Sequence, residues 1–175
     1  KYLNIDFPIE ITTFADIPAN TGLGSSSSLI VGLLNALYAM KGEFVTKYTL
    51  ATQAAEIEVD ILKRSIGKQD HFNAAYGNLN TYTFLSNEKV EIHPVYFTKN
   101  TIEKLSKNLI LFYTDQKRDA SKQIKSNKAN KNQNELLISM RDNVDSLRNV
   151  IESGKIDEFG KILDSYWNLK KKSGN

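Results

Sequence analysis

Hydrophobic and polar residues alternate along three parts of the chain. Near the N-terminus, apolar residues at positions 3, 5, 7, 9 and 11 are separated by mostly polar ones, and this period of two predicts a half-buried strand over residues 2–13. A second alternation, over residues 78–97, is interrupted by Ser86 and Asn87, which favour a turn, so it predicts a hairpin or meander. The apolar run 108–114 predicts a further strand, placed centrally in a sheet.

Helical periodicity occupies the segments between and after these strands. Apolar residues three and four positions apart predict one helix from Leu29 to Met40, and Thr46 is the expected cap of a second helix that runs to about Ser65. The C-terminal part carries two helical stripes that we expect in the core: Leu137, Met140, Val144, Leu147 and Ile151, then Ile156, Phe159, Leu163, Tyr166 and Trp167. This order of elements predicts a mixed α+β or two-layer α/β architecture.

Helix geometry distinguishes two glutamates of the second helix. With Leu50 placed at 0° and about 100° per residue, the apolar face is centred near ~60° and comprises Leu50, Ala51, Ala54, Ile61 and Leu62. Glu58 falls at about 80°, inside this face, whereas Glu56 falls at about 240°, on the polar side. Because an unpaired buried carboxylate is costly, Glu58 is expected to have a cation or a hydrogen-bond partner. A pairing with a nearby lysine or backbone group remains the alternative to a metal.

Composition excludes several kinds of chemistry. The 175 residues are 41% hydrophobic and 25% charged, as in a folded protein, and include no cysteine and two histidines. Disulfide frameworks, thiol nucleophiles, cysteine zinc sites and histidine-rich metal clusters are therefore excluded, and a reducing cytoplasm is the expected location. No apolar run is long enough to span a bilayer, so a membrane partner is not expected.

The net charge of +3 is unevenly distributed. Residues 1–97 hold 7 Lys and Arg against 10 Asp and Glu, whereas residues 98–175 hold 16 against 10. The most basic stretch, 117–131, has no aromatic residue or glycine among its cations, which favours a solvated helix face over a nucleic-acid surface. An attraction for phosphorylated ligands remains the alternative, and Arg118 is the cation most expected to contact one.

The segment richest in candidate chemistry is Pro18-Ala-Asn-Thr-Gly-Leu-Gly-Ser-Ser-Ser-Ser28, which joins the first strand to the first helix. Glycines allow the backbone to approach a ligand closely, and the first turn of a helix attracts anions. A Walker A loop is excluded because no lysine lies between Lys1 and Lys41, and a dinucleotide fingerprint needs a glycine where Ser27 stands. A serine-rich helix cap without a ligand remains the alternative on spacing alone.

Three segments resemble the superfamily of galactokinase, homoserine kinase, mevalonate kinase and phosphomevalonate kinase, called GHMP kinases. Pro18 to Ser28 is similar to the family's second motif, which wraps the phosphates of ATP. Gly67-Lys-Gln-Asp-His-Phe-Asn-Ala-Ala-Tyr-Gly77 resembles a segment of the sugar-kinase branch that phosphorylates D-glycero-D-manno-heptose 7-phosphate, with His71 and Asn78 replacing a usual Gln and Gly. Residues 114–121 resemble that branch's Thr-Gly-x-x-Arg-x-Ala-Ser, with Asp115 in place of glycine.

The resemblance implies a role for each matching residue. Asp70 is the expected catalytic carboxylate, and Ser26 and Glu58 are the expected Mg²⁺ ligands. Lys68 and Arg118 are expected to contact the phosphate of the sugar. The residues expected to contact ATP are Pro18, Gly22, Leu23, Gly24, Ser25, Ser26 and Ser27.

The implied activity is transfer of the ATP γ-phosphoryl group to the anomeric hydroxyl of a sugar phosphate, for surface polysaccharide or nucleotide-sugar synthesis. A kinase acting on fucose, galactose or a related sugar is one alternative, and a non-catalytic nucleotide-binding module is another. The implied cofactors are ATP and Mg²⁺. The implied partners are ATP and the small sugar phosphate, with no nucleic acid and no membrane, and a homo-oligomer is left open.

The resemblance also implies a domain organisation. Residues 1–105 correspond to the N-terminal domain, which is related to ribosomal protein S5 domain 2, without its leading strands. Residues 106–175 correspond to the start of a ferredoxin-like C-terminal domain. Because the glycine-rich segments that flank this region in the family have no counterpart here, we expect a chain truncated at both ends, with little or no kinase activity alone.

Overall fold

The computed structural model describes residues 3–16, 21–113 and 133–172, which belong to two compact units. The first unit ends at Tyr76 and the second begins at Gly77. The elements of the first are α1 (Ser25–Met40), α2 (Lys47–Ala55), a π-helical segment (Glu56–Ile61) and α3 (Gln69–Tyr76). Those of the second are β1 (Asn80–Phe84), β2 (Val90–Pro94), α4 (Lys99–Lys107), α5 (Gln133–Glu152), a 3₁₀ turn (Ile156–Glu158) and α6 (Phe159–Lys172).

The core of the first unit lies between α1 and α2. From α1, the side chains of Val31, Leu34 and Tyr38 pack with Leu50 and Ala54 of α2. Ala54 is completely buried, and its small side chain lets the two helices approach closely. The Tyr38 hydroxyl donates a hydrogen bond to Gln53 Oε1 at 2.7 Å, so the polar end of this ring is also satisfied. This packing fixes the first turn of α1 relative to α2.

The second predicted helix is confirmed but changes type along its length. Thr46 caps it as predicted, since its hydroxyl accepts a hydrogen bond from the Thr49 N–H at 3.1 Å. After Ala55 the helix continues as the π-helical segment. This segment ends at Ile61, before the end predicted near Ser65. The predicted burial of Ile61 and Leu62 is wrong, because their side chains are 54% and 56% exposed. Hydrogen bonds of the i→i+5 type add a residue to the turn, so these positions rotate away from the face that α2 presents.

The second unit combines a hairpin with helices. Strands β1 and β2 pair antiparallel, from Asn80 opposite Pro94 to Phe84 opposite Val90, which confirms the predicted hairpin. Helix α4 was not predicted. Thr98 caps it as Thr46 caps α2, with its hydroxyl oxygen accepting a hydrogen bond from a backbone N–H. The core of the second unit is formed by Val95, Leu105, Ile151 and Ile156.

Two predicted strands are absent from the described residues. Residues 3–13 and 109–113 form no strand in the part of the chain that the structure describes, and the side chains of Ile110, Leu111 and Phe112 are 76–77% exposed. An alternating or apolar segment becomes a strand only when a neighbouring strand satisfies its N–H and C=O groups. No such pairing is formed within the described residues, so the apolar pattern is left without a sheet.

The two C-terminal stripes are only partly in the core. Ile151 and Ile156 are buried, as predicted, but Leu137, Val144, Leu163 and Trp167 are 39–54% exposed, so the prediction is wrong for these four. Helical spacing identifies which face of a helix is apolar, but it contains no information about what covers that face.

The mixed α+β class is confirmed, with several helices and one small antiparallel sheet among the described residues. The domain boundary after residue 105 and the S5-like and ferredoxin-like topologies stay predictions. Within the described ranges, no helix is both long enough and apolar enough to cross a bilayer.

The cap of α2 gives a stability prediction. T46A removes the hydroxyl that accepts the Thr49 N–H, so the free energy of unfolding should fall by about 1 kcal/mol. The measurement is urea denaturation followed by circular dichroism. The matched control is T52A, whose hydroxyl bonds back to the Tyr48 carbonyl inside the same helix and should change stability by less than about 0.5 kcal/mol. Equal losses in both variants would contradict the capping role.

Candidate active site

The loop that precedes α1 contains two residues in the left-handed backbone conformation. Gly22 has φ +78° and Gly24 has φ +70°, a conformation that glycine adopts without steric cost. Gly24 is the N-cap residue of α1, and its carbonyl accepts the Ser28 N–H at 3.0 Å. Gly24 has no side chain to cap the helix, and no acidic residue lies in its first turn. The positive end of α1 therefore has no cap from a side chain of its own first turn.

Behind this loop, the carboxylate of Glu58 is completely buried and accepts hydrogen bonds from two serines. Ser26 Oγ donates to Oε1 at 2.6 Å, and Ser27 Oγ donates to Oε2 at 2.8 Å. The prediction that Glu58 is buried and has hydrogen-bond partners is confirmed, and Glu56 is exposed, as expected. Glu58 lies in the π-helical segment, a local geometry that is frequent at functional sites.

The ionisation of Glu58 follows from these contacts. Burial alone would raise the pKa of Glu58, because a desolvated carboxylate favours its neutral form. The hydrogen bonds from Ser26 and Ser27 and the imidazole of His71 outweigh burial, so the pKa lies below its ordinary value of 4.5. At neutral pH the loop therefore rests on an ionised carboxylate that accepts hydrogen bonds and donates none.

Asp70 lies in the first turn of α3, which begins one residue earlier, at Gln69. Its carboxyl group contacts the loop: a Cβ added to Gly24 would lie 3.1 Å from both Asp70 Cγ and Oδ2. The side chain is exposed, so it is accessible to a ligand. The structure thus brings the predicted catalytic carboxylate directly against the predicted phosphate loop.

Two further partners of Glu58 were missed by reasoning from the sequence. His71 Nε2 lies 2.8 Å from Glu58 Oε2, and both side chains are completely buried. Arg64 Nη1 lies 3.5 Å from Oε1, with about half of its side chain exposed. The burial predicted for Glu58 signals that a partner exists, but it does not identify His71, which lies 13 residues away on another helix.

The remaining predicted residues are placed as follows. Leu23 is half exposed beside Gly22, and Lys68 is partly buried immediately before α3, where its backbone carbonyl accepts the Phe72 N–H at 3.4 Å. Pro18 and Arg118, together with the basic stretch 117–131, lie outside the described residues. The first unit therefore brings together Gly22, Leu23, Gly24, Ser25, Ser26, Ser27, Glu58 and Asp70.

Comparison with known proteins relates this site to one family of enzymes. Residues 1–78 match the model of the GHMP kinases N terminal domain, and this range contains every described residue of the site. The part of the chain that holds the site is therefore similar to the N-terminal domain of the GHMP kinases.

Two individual relatives extend the similarity beyond this domain. The chain is 27% identical over 163 residues to the D-glycero-alpha-D-manno-heptose 7-phosphate kinase of Campylobacter jejuni, a match that covers 91% of this chain and 48% of the relative. It is also similar to the crystal structure of a D-glycero-D-manno-heptose 1-phosphate kinase from Bacteroides thetaiotaomicron, with a TM-score of 0.78, 28% identity, and coverage of 91% of this chain and 47% of the other. The chain thus spans about half the length of each.

The lowered pKa of Glu58 predicts how stability depends on pH. Because the folded pKa is depressed, the carboxylate stabilises the fold above pH 4.5, and this contribution is lost as the pH falls through the folded pKa. E58Q should remove that part of the pH dependence and lower stability at pH 7 by about 1.5–3 kcal/mol, since an amide replaces a charged acceptor. Urea unfolding between pH 3 and pH 7 tests both effects. E56Q, at the exposed glutamate, is the control, and an identical pH profile for E58Q and wild type would contradict the assignment.

Substitution of the loop glycines gives a second prediction for this site. G24A combines strain at φ +70° with a Cβ 3.1 Å from the Asp70 carboxyl group, so it should destabilise the fold by about 1–3 kcal/mol. G32A lies inside α1 with open space around its added Cβ and should stabilise by about 0.5–1 kcal/mol. Thermal unfolding of both variants is the measurement. A G24A protein as stable as wild type would show that the loop does not require this conformation.

Proposed function

We propose that this chain provides the ATP-phosphate and Mg²⁺ site of a sugar-phosphate kinase that phosphorylates the anomeric hydroxyl of a heptose 7-phosphate. The observation that carries the proposal is the proximity of the Asp70 carboxyl group to Gly24. It places an accessible carboxylate beside a glycine loop at the positive end of α1. A phosphoryl group held by the loop would therefore lie next to a group able to act on an acceptor hydroxyl.

The phosphates of ATP would bind at the first turn of α1. The N–H groups of the first turn of a helix have no acceptor within the helix, and they point toward a ligand at its N-terminus. Ser25 and Ser26 are at least partly exposed there, and Gly22 and Gly24 let the backbone come close to phosphate oxygens. Leu23 and Pro18 would complete the wall of the site, as the family resemblance implies.

The donor set of Ser26 and Glu58 fits Mg²⁺. Mg²⁺ prefers hard oxygen ligands and typically uses one or two carboxylates together with substrate phosphates. Ser26 Oγ and Glu58 Oε1 are 2.6 Å apart, so these two oxygens would hold Mg²⁺ together at the start of α1. The described residues contain no group of three or more His, Asp or Glu that could hold a metal alone, so the nucleotide would supply further ligands. When bound, Mg²⁺ neutralises charge on the transferred phosphoryl group.

Asp70 would act on the acceptor hydroxyl. Its carboxylate either accepts the proton of that hydroxyl or orients the oxygen toward the phosphorus atom, and both roles agree with its exposure and its contact with Gly24. The protein would contribute mainly positioning and electrostatic stabilisation, as in other phosphoryl transfers.

The substrate class rests on the two relatives, which are named as heptose 7-phosphate and heptose 1-phosphate kinases. Lys68, next to the first turn of α3, and Arg118 would contact the phosphate already on the sugar, since cationic side chains suit that group. Synthesis of surface polysaccharide or nucleotide sugars, a cytoplasmic location and a homo-oligomeric state are parts of the same proposal. A kinase for fucose or galactose is the competing assignment.

Paired measurements of binding and transfer test the proposed function. D70N should leave MgATP affinity within about threefold of wild type and lower transfer to heptose 7-phosphate in the intact protein by at least about a hundredfold. S26A should weaken MgATP binding by about tenfold or more. Binding is measured by calorimetry and transfer by ADP release, with D145N on the exposed face of α5 as the control. The 175-residue chain alone is predicted to show little or no turnover.

Two results would contradict the proposal. Unchanged MgATP affinity in both S26A and G24A would remove the loop as the nucleotide site. Efficient turnover of free fucose or galactose, with none of heptose 7-phosphate, would transfer the activity to the competing assignment. Nucleotide binding without transfer in the intact wild-type protein would leave a non-catalytic module.

A further inference from the structure

We propose that His71 is a positioning residue that holds the Glu58 carboxylate in the orientation in which it accepts hydrogen bonds from Ser26 and Ser27. His71 Nε2 and Ser27 Oγ both lie 2.8 Å from Glu58 Oε2, so two donors from different helices fix this oxygen. Oε1 is thereby directed at Ser26, 2.6 Å away. The inference deepens the proposed function, since Ser26 is the proposed contact to nucleotide-bound Mg²⁺.

The hydrogen-bond pattern assigns the tautomer of His71. An ionised carboxylate only accepts hydrogen bonds, so the hydrogen must be on Nε2. The other ring nitrogen, Nδ1, is buried and has no hydrogen-bond partner among the described residues. The contact with Glu58 thus assigns a hydrogen to Nε2.

His71 also connects the loop to the helix that carries Asp70. Asp70 and His71 are consecutive residues in the first turn of α3, and they contact Gly24 and Glu58, respectively. The serines and Gly24 belong to the start of α1, so α3 is attached to this segment at two points. Without the imidazole, Oε2 would keep Ser27 as its remaining donor, and the carboxylate would be held less firmly in the orientation that meets Ser26.

His71 could instead serve only to pack the core. Substitution of the neighbouring Phe72 distinguishes this packing role from the positioning role. Phe72 is 1% exposed, stacks on Tyr76 and meets Tyr48 edge to face, so F72L should lower stability through lost packing without changing the Glu58 hydrogen bonds. A purely structural His71 would behave like Phe72. A positioning His71 would affect nucleotide affinity as well, and a side chain that restores the N–H donor would rescue it.

The experiment compares H71Q, whose amide can donate to Glu58, with H71L, which cannot. We expect H71L to weaken MgATP binding by about tenfold or more, H71Q to stay within about threefold of wild type, and F72L to lose stability but not affinity. Nitrogen-15 NMR of the histidine rings gives an independent readout of the Nε2–H tautomer. His93 is the other histidine, about half exposed, and H93Q assigns its signals.

Each outcome decides the inference. A folded H71L protein with wild-type affinity, or an Nδ1–H tautomer at His71, would overturn it. If H71L does not fold, H71N replaces it, because its shorter amide cannot reach Glu58 and should lose affinity where H71Q does not.

A wild-type protein that fails to bind MgATP would refute the proposed function rather than the positioning role. The role would then be decided by the tautomer together with amide hydrogen exchange at Ser26 and Ser27. Faster exchange in H71L than in H71Q would support the role, and equal exchange would refute it.

Discussion

The buried carboxylate of Glu58 is the constraint on which the rest of the site depends. A desolvated ion is unfavourable unless donors surround it, and here the donors come from two other helices: Ser26 and Ser27 of α1 and His71 of α3. Satisfying this one charge therefore fixes the start of α1 relative to α3. The same arrangement places Asp70 close to Gly24. The hydrogen bonds that satisfy the buried carboxylate therefore also set the position of Asp70 beside the loop.

Whether a feature of the site could be predicted depends on how far apart in the sequence the contacting residues lie. The burial of Glu58 followed from the 100° repeat, because α2 is regular up to Ala55 and its apolar face is local information. Ile61 and Leu62 were misplaced because hydrogen-bond type changes at Glu56, which no periodicity records. The contacts of Asp70 with Gly24 and of His71 with Glu58 join segments that only tertiary packing brings together. Family resemblance indicated Asp70, but it gave no role to His71.

The same distinction explains the strands. The hairpin of β1 and β2 was predictable because its partners are close in the chain and joined by a short turn. The alternation over residues 3–13 and the apolar run 109–113 identify sequences suited to strands, but pairing depends on distant segments. Among the described residues these segments form no strand, and most of the apolar side chains in them are exposed. The hydrophobic pattern thus predicts which side chains are suited to burial. Whether they are buried depends on the topology, which brings distant segments against them.

The π-helical segment makes the site sensitive to chain length as well as to residue identity. Between Glu56 and Ile61 each turn contains one residue more than an α-helical turn, and Glu58 reaches the two serines from within this segment. Loss of a single residue here would restore α-helical hydrogen bonding while leaving every residue of the candidate site present in the sequence. The carboxylate would then face a different direction. In an alignment of related chains, a one-residue gap in this segment would therefore mark a change of active-site geometry that residue identity alone conceals.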